Sequence, residues 1–290
     1  MSRWTIGIIG GSGLYAVDGI EDGRWQTVET PWGAPSDAIY TGRVEHVGVA
    51  FLPRHGRGHR VAPSDLNARA NIDALKRLGV TDVLAVSSVG SLVEQRPPGS
   101  FTIVDQFIDR TKGRPSSFFG TGLVAHVSMA DPVCPRLSRY AADAAREADA
   151  QVDDRGTYLA MEGPQFSTRA ESLLYRQWGC DVIGMTAMPE AKLAREAELP
   201  YALVGMVTDY DCWREGEAGV DVAQVLAQLD ANAAKARAMV MSLLRGLPGT
   251  RAGSPIDTCL DSAIITARGA RDPELVAKLD AVAGRALAKL

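Results

Sequence analysis

The chain has 290 residues, of which 46% are hydrophobic and 23% charged, and its formal net charge is −4 at pH 7. This globular composition is ample for a buried core, and its acidity argues against a nucleic-acid groove or an anionic membrane surface as the main partner. The four cysteines form no CxxC pair, so we expect neither a disulfide framework nor a zinc site. No signal-peptide pattern and no apolar run of about 20 residues occurs, which predicts a soluble cytoplasmic protein.

Short apolar runs alternate with helical patterns, which predicts an α/β fold in one domain spanning residues 1–290. Ser64 or Asp65 is expected to cap a helix that ends at Gly79, and Asp221 to start a long amphipathic helix. Asp272, followed by proline, is expected to cap the last helix, within a helical C-terminal segment of about 256–290. The expected strands are residues 5–9, 24–29, 38–44, 47–52, 83–87, 101–108, 156–160, 181–183 and 201–207.

Residues 6–14 read IGIIGGSGL, a strand that runs into a glycine-rich turn. Glycines let backbone N–H groups approach an oxyanion, and Ser12 adds a hydroxyl donor. The same glycines fit the dinucleotide-binding pattern G-x-G-x-x-A. Against that pattern, the acidic, glycine-broken segment that follows is no helix, and no clean second strand ends in an acidic residue about 20 positions later. A purely structural tight turn is the other alternative.

Residues 52–59 read LPRHGRGH and follow a strand. Arg54 can bind a phosphate through two N–H groups, and His55 can donate a further hydrogen bond. Histidine phosphatases also carry Arg-His-Gly after a strand, with the histidine as nucleophile, although theirs is normally the first strand of the domain. A solvated basic loop is the plainer alternative, and His59 alone supports no functional prediction.

Two further strands end in small hydroxyl residues. Ser87 and Ser88 close one of them, and Thr186 follows Gly184 and Met185 at the end of another. The carboxyl ends of strands are where α/β sheets bind ligands, so these hydroxyls are candidate anion donors. Each of the two segments alone is equally compatible with an ordinary turn.

Residues 161–172 read MEGPQFSTRAES and lie between a strand and a helix. This stretch combines a carboxylate, a Gly-Pro bend, the aromatic ring of Phe166 and several hydroxyls in one short turn. On its own it could be a capped helix start, with Ser167 as the N-cap ahead of Arg169 and Glu171. Together with the anion-binding segments, it indicates a phosphate-using enzyme that acts on a nucleoside.

Residues 208–213 read TDYDCW and follow the most apolar strand. Asp209 and Asp211 are two residues apart, and two neighbouring carboxylates are expected to push their pKa values apart, which leaves one able to hold a proton. Such a pair suits a leaving group that must be protonated, or two adjacent donors such as a ring N–H and an exocyclic amine. A metal site is the rival interpretation, but no histidine or third carboxylate lies nearby in the sequence. A helix-capping role for one aspartate is the plainest alternative.

In matching order, the segments GGSG, PRHGRGH, SSVGSL, MEGPQFSTRAES, GMT and TDYDCW resemble the trimeric purine nucleoside phosphorylases, in particular the S-methyl-5′-thioadenosine phosphorylase family. The resemblance runs from about Ile6 to about Leu244. It implies an α/β domain with a central mixed, twisted and partly barrel-like sheet flanked by helices. It also implies a homotrimer with sites at the subunit interfaces, to which His126 is contributed by a neighbouring subunit near the 5′ end of the nucleoside.

The resemblance also implies the roles of individual side chains. Asp209 would face N7 of a purine, Asp211 the 6-amino group, and these two with His55 are the candidate catalytic residues. Phosphate would be bound by Ser12, Arg54, His55, Ser87, Ser88 and Thr186. The nucleoside would be contacted by Phe166, Ser167, Met185, Asp209, Asp211, Val222, Val225, Leu226 and His126. Of these, Val222, Val225 and Leu226 would favour an apolar 5′-methylthio group.

The implied reaction is phosphorolysis of S-methyl-5′-thioadenosine to adenine and 5-methylthioribose 1-phosphate, with inorganic phosphate as co-substrate and no metal or organic cofactor. Several positions depart from the family pattern: Ser12 stands where many relatives have threonine, and Ser87 and Ser88 replace a Thr-Ala pair, although the hydroxyls are kept. Gly184 stands where animal-type enzymes have asparagine, and Gln165 replaces a frequent arginine. The alternatives are a 6-oxopurine nucleoside or 5′-methylthioinosine phosphorylase, a non-catalytic nucleoside-binding protein and a dinucleotide-dependent dehydrogenase.

Overall fold

The computed structural model describes residues 3–11, 14, 19–214 and 222–289. Two positions singled out from the sequence, Ser12 and Asp221, lie outside the described residues. The architecture is α/β with a mixed central sheet flanked by helices, as predicted.

Eleven strands form the sheet in the described residues, and most of the predicted strands are found within a few residues of their expected bounds. The expected strand at 101–108 is instead two short strands, because its two halves pair with different neighbours. The strands are Thr5–Gly10 (β1), Glu21–Gln26 (β2), Ile39–Val44 (β3), Val47–Pro53 (β4), Asp82–Ser91 (β5), Phe101–Val104 (β6), Gln106–Asp109 (β7), Val152–Asp153 (β8), Thr157–Ala160 (β9), Val182–Gly184 (β10) and Tyr201–Asp209 (β11).

Seven α-helices lie in the described residues, and none of them combines the length and the apolarity needed to cross a lipid bilayer. α2 and α4 were not predicted from the sequence. The C-terminal segment also contains a 3₁₀ helix at Pro255–Ser262. The helices are Ala68–Arg77 (α1), Pro135–Glu147 (α2), Arg169–Gln177 (α3), Ala187–Glu196 (α4), Val222–Gly246 (α5), Pro273–Lys278 (α6) and Asp280–Leu287 (α7).

Two of the expected helix caps were wrong. The cap of α1 is Asn67, whose side chain accepts from the N–H of Ala70, while Ser64 and Asp65 belong to a preceding 3₁₀ turn. The cap of α3 is Thr168 rather than Ser167, and Glu171 completes a reciprocal capping box. The cap expected at Asp272 is confirmed, since its carboxylate accepts from two backbone N–H groups of the first turn.

The sheet separates two apolar layers, because successive side chains of a strand point to opposite faces. Along β5, Val83 and Ala85 pack in the layer that contains α1, α4 and the C-terminal helices. Leu84 and Val86 pack in the other layer, with α2 and α5. From Leu260 onward, the C-terminal segment therefore packs on the same side of the sheet as α4.

β5 is the strand at which the sheet divides. It pairs along one edge with β11, from Val83 to Gly90. Along the other edge it pairs first with β1, at residues 82–85, and then with β10, at Gly90 and Ser91. Residues 86–89 consequently lie in a gap between the end of β1 and β10, where that edge has no strand neighbour in the described part of the chain. Backbone groups in the gap need other partners.

Candidate active site

Four of the sequence segments meet around this gap in the sheet. Arg54 follows the end of β4, Ser87 and Ser88 lie in β5 at the gap, and Thr186 follows β10. Asp209 ends β11, and its Cα is the register partner of Gly90 in β5. Strand pairing thus brings together anion donors and carboxylates that are far apart in the sequence, at a point where the strand order changes.

Arg54 is fully buried in the gap and is paired with Glu190 of α4. Its Nε lies 3.0 Å from Oε2 of Glu190 and its Nη2 lies 3.1 Å from Oε1. Nη1 donates to the carbonyl of Val86 at 2.9 Å and Nη2 to that of Ile9 at 3.3 Å. Burial opposes the charge, but the attraction of Glu190 outweighs it and raises the pKa of Arg54. The guanidinium thus gives the carbonyl of Val86 a partner in the gap and also donates to the carbonyl of Ile9 in β1.

This geometry corrects the bidentate phosphate contact expected of Arg54. A guanidinium has five N–H donors, and four of them are engaged by Glu190 and the two carbonyls. The fork of Nε and Nη2 therefore binds a carboxylate of the protein itself. One N–H of Nη1 is left for an anion.

His55 is half-buried, and its Nδ1 lies 2.9 Å from the carbonyl oxygen of Val61. Because a carbonyl only accepts, Nδ1 carries the proton and Nε2 of the neutral ring is an acceptor. Burial lowers the pKa of His55 to about 4, so the ring is neutral near pH 7. The expectation that His55 donates to an anion therefore needs correction, since Nε2 donates only if the ring gains a proton. His59 stacks on this ring with centroids 4.3 Å apart.

The hydroxyls of Ser87 and Thr186 lie 3.2 Å apart, and both residues are buried. Thr186 also donates its backbone N–H to the hydroxyl of Tyr158 at 3.4 Å. Tyr158 explains the departure at Gly184, because a Cβ at that position would lie 2.1 Å from the tyrosine hydroxyl. Tyr158 thus occupies space that a larger side chain at position 184 would need.

The turn at residues 161–167 packs directly against Met185. Gly163 has a φ of +72°, which favours glycine, and a Cβ there would lie 2.5 Å from Sδ of Met185, so the methionine side chain would have to move. The ring of Phe166 is exposed beside this contact. The carbonyl of Ser167 accepts from the thiol of Cys212 at 3.2 Å, which connects the turn to the segment that carries Asp211.

The two aspartates differ in their hydrogen bonds. Asp209 accepts from the hydroxyl of Thr208 at 2.7 Å and from the backbone N–H of Asp211 at 2.8 Å. Asp211 is more deeply buried, and its Oδ2 makes no hydrogen bond to the described residues. Burial raises the pKa of both carboxyls, and the charge of Asp209 adds to the effect on Asp211. Both are thus shifted in the direction that favours holding a proton, and the separation of their pKa values stays a prediction.

The remaining predicted residues lie on two other surfaces. Val222 and Leu226 are exposed and Val225 is partly buried in the first turns of α5, where spacings of three and four residues share a face. His126 is exposed on a segment whose backbone bonds to the C-terminal region, through its N–H and the carbonyl of Ala263. Among the described residues, no group of three His, Cys, Asp or Glu side chains could hold a metal ion.

Sequence reasoning missed four residues that shape this site: Glu190, Tyr158, Tyr201 and Arg114. Tyr201 donates its hydroxyl to Oε1 of Glu190 at 2.8 Å and so supports the pair with Arg54. A signal existed for Glu190, which is a carboxylate in the otherwise apolar run that follows Thr186. A buried acid of that kind requires a partner.

Comparison with known proteins places the chain in a family. The family model of the phosphorylase superfamily matches residues 5–245. The chain belongs to the phosphorylase superfamily. Among curated phosphorylases of this kind, it is 60% identical to the S-methyl-5′-thioadenosine phosphorylase of Cereibacter sphaeroides, over 98% of this chain and 99% of the relative. It is 58% identical to the protein of that name from Rhodospirillum rubrum, over 98% and 97% of the two chains.

Solved structures of phosphorylases share the fold. A methylthioadenosine phosphorylase from an antarctic soil metagenomic library matches with a TM-score of 0.91 and 46% identity, over 97% of this chain and 99% of the other. The methylthioadenosine phosphorylase of Schistosoma mansoni, in complex with adenine, matches with a TM-score of 0.81 and 34% identity, over 97% and 98%. The predicted membership and fold are confirmed.

We expect Glu190→Gln to lower the free energy of unfolding by about 3–5 kcal/mol, because the guanidinium of Arg54 would stay buried without its counter-charge. Chemical denaturation measures the loss. Glu196→Gln is the matched control. It lies on the same helix and is also buried, but it accepts from the hydroxyl of Ser117 and the N–H of Phe118, which are uncharged. A loss from Glu196→Gln as large as that from Glu190→Gln would contradict the assigned role of the ion pair.

We expect the imidazole of His55 to titrate near pH 4 in the folded protein rather than near 6.5. The unfolded chain then binds more protons between these values, so the contribution of His55 to stability is complete above pH 6.5 and declines as the pH falls toward 4. Proton NMR of the ring signals measures the pKa, and His55→Asn identifies them. A ring pKa at or above 6.5 in the ligand-free protein would contradict the burial and the tautomer.

Proposed function

We propose that this protein catalyses the phosphorolysis of S-methyl-5′-thioadenosine to adenine and 5-methylthioribose 1-phosphate. The observation that carries the proposal is the similarity, over nearly the full length of the chain, to proteins named S-methyl-5′-thioadenosine phosphorylase, at 60% identity in one case. The arrangement of anion donors and buried carboxylates around the gap between β1 and β10 gives this activity a physical basis.

In the proposed reaction, phosphate attacks C1′ of the nucleoside through an oxocarbenium-like state. The hydroxyls of Ser87 and Thr186 and the remaining N–H of Arg54 support phosphate binding, together with Ser12, His55 and the backbone of Ser88. The phosphate dianion carries one P–OH group, and this hydroxyl can donate a hydrogen bond to Nε2 of the neutral His55 ring. The rate enhancement then comes from holding the two reactants in position and from preorganised N–H and O–H groups that stabilise the transition state. The proposed reaction needs no metal or organic cofactor.

The two aspartates suit an adenine base. A carboxyl with a raised pKa can hold a proton for N7 of the departing purine, which is the role we assign to Asp209. The unpartnered Oδ2 of Asp211 is an acceptor for the 6-amino group. A 6-oxopurine would present a carbonyl to that acceptor, which is unfavourable in a buried site. Phe166, Ser167 and Met185 would contact the base and ribose.

The 5′ substituent is proposed to lie against Val222, Val225 and Leu226 of α5. Exclusion of a hydroxyl by an apolar surface of this size is worth about 1–3 kcal/mol, so the preference for methylthioadenosine over adenosine should be moderate. His126 of a neighbouring subunit would complete this end of the site.

The assembly we propose is a homotrimer in the cytoplasm. Supporting it are four exposed apolar side chains that are close in sequence: Phe166 in the turn before α3, Leu173 and Leu174 in α3, and Trp178 directly after it. Exposed apolar clusters of this kind mark interfaces between proteins. Phe166 lies within the turn at residues 161–167, so a partner there would border the proposed nucleoside site.

The substrate test uses purified protein with 5′-methylthioadenosine, adenosine, 5′-methylthioinosine and inosine, each with and without phosphate. We expect phosphate-dependent release of adenine, fastest from methylthioadenosine. Asp209→Asn should lower adenine release by about 100-fold or more and favour 6-oxopurines relative to the wild type, because an amide cannot supply the proton to N7.

Asp105→Asn serves as a control, since its carboxylate pairs with the exposed Arg155 instead. Release of hypoxanthine but not adenine by the wild type would assign a 6-oxopurine phosphorylase. No base from any substrate would indicate a nucleoside-binding protein. Unchanged adenine release by Asp209→Asn would remove the role given to that residue.

Sedimentation equilibrium tests the assembly. We expect a mass of about three times the 30.9 kDa chain. Leu174→Asp should dissociate it, because a charge would be buried in the apolar contact. Trp25→Asp, an equivalent change at an exposed aromatic of the edge strand β2, should leave the mass unchanged. A monomeric wild type, or a trimer that survives Leu174→Asp, would contradict the proposed interface.

A further inference from the structure

Arg114 lies in the loop after β7 and is nearly buried, with only 6% of its side chain exposed. Its guanidinium reaches two separate segments. Nη1 donates to the carbonyl of Met185 at 2.7 Å and to that of Met188 at 2.9 Å. Nη2 donates to the carbonyl of Glu162 at 2.6 Å, and Nε to its carboxylate at 3.1 Å. One side chain therefore joins the turn at residues 161–167 to the end of β10.

Glu162 forms the second half of this connection. One carboxylate oxygen accepts from Nε of Arg114 and the other from the backbone N–H of Lys112 at 2.6 Å. The carbonyl of Glu162 also accepts from the hydroxyl of Ser64 at 3.3 Å. Burial alone would raise the pKa of Glu162, but these donors together lower it, so the group is ionised. The turn is thus held by a charged pair rather than by neutral contacts alone.

The connection sets the distance between the turn and Met185. Gly163 packs closely on Met185, since a Cβ at this position would lie 2.5 Å from Sδ of Met185. The carbonyl of Met185 and the carbonyl of Glu162 are fixed by the same planar guanidinium. Release of either carbonyl would allow Gly163 and Met185 to separate.

The phosphate side has anchors of its own. The N–H of Thr186 is held by Tyr158, and its hydroxyl lies beside that of Ser87. Arg54 is held by Glu190 and by strand carbonyls. None of these contacts involves Arg114, so its loss should act on the nucleoside side first.

We propose that Arg114, through its hydrogen bonds to Glu162, Met185 and Met188, is a positioning residue that fixes the nucleoside-binding turn against Met185. The inference rests on the proposed function, because it assigns Met185 and the turn to the nucleoside. Only a planar fork can serve both segments in this geometry, and an ammonium group at the same place cannot.

The test compares wild type, Arg114→Lys and the surface control Arg155→Lys, whose guanidinium side chain is 85% exposed. Calorimetry measures the Kd of 5′-methylthioadenosine and, separately, that of inorganic phosphate, and adenine release gives KM and kcat. We expect Arg114→Lys to weaken nucleoside binding and lower kcat/KM by about 100-fold, with a change of less than about threefold for phosphate. Arg155→Lys should match the wild type.

A second variant separates positioning from general damage to the fold. Glu162→Gln keeps the acceptor and the shape but removes the charge, so it should lose less nucleoside affinity than Arg114→Lys. Circular dichroism and thermal unfolding check that both variants fold. If Arg114→Lys does not fold, the nucleoside affinity of Glu162→Gln decides alone, and a value equal to that of the wild type overturns the inference.

Equal losses for nucleoside and phosphate, or no loss for either, would overturn the role of Arg114. A wild type that binds methylthioadenosine without releasing adenine removes the proposed function only, and the binding data still decide the inference. A wild type that neither binds nor cleaves the nucleoside overturns both.

Discussion

The buried ion pair between Arg54 and Glu190 is the interaction on which the site depends. β1 and β10 pair with different parts of β5. Between them, residues 86–89 of β5 have no strand neighbour on that edge in the described part of the chain. Arg54 fills the gap and donates to the carbonyl of Val86 in it and to that of Ile9 in β1, while Glu190 neutralises it from α4. The carbonyl of Val86 is thereby paired where the sheet opens at Ser87 and Ser88, and the hydroxyls of Ser87 and Thr186 converge at this opening.

The same pair changes how the site can hold an anion. Because the charge of Arg54 is matched by Glu190 and the ring of His55 is neutral near pH 7, this cluster offers oriented N–H and O–H groups rather than net positive charge. Dipoles placed in advance and shielded from water stabilise charge strongly without reorganising. A neutral cluster also releases a charged product more readily than a fully cationic one would.

Features of the fold and the site that depend on neighbouring residues could be predicted from the sequence. The hydroxyl of Thr186 after β10, the aspartates at the end of β11 and the cap at Asp272 are all encoded within a few neighbouring residues. Ser87 and Ser88 were expected to close a strand, but β5 continues to Ser91, because its last residues pair with β10. The partner of Arg54 is 136 residues away and that of Arg114 is 71 residues away at Met185, and no periodicity encodes such pairs. The caps of α1 and α3 were missed by one to three residues, because several polar residues there could each accept the first N–H groups.

The two halves of the site meet in one peptide unit. The carbonyl of Met185 is fixed by Arg114, and the N–H of Thr186, in the same peptide plane, is fixed by Tyr158. On the proposed assignment, Met185 contacts the sugar and Thr186 the phosphate, so this plane sets the approach of the attacking oxygen to C1′. Because the amide is planar, its C=O and N–H turn together, so each hydrogen bond restrains the whole unit, and the bond to Tyr158 still holds Thr186 where Arg114 is lost.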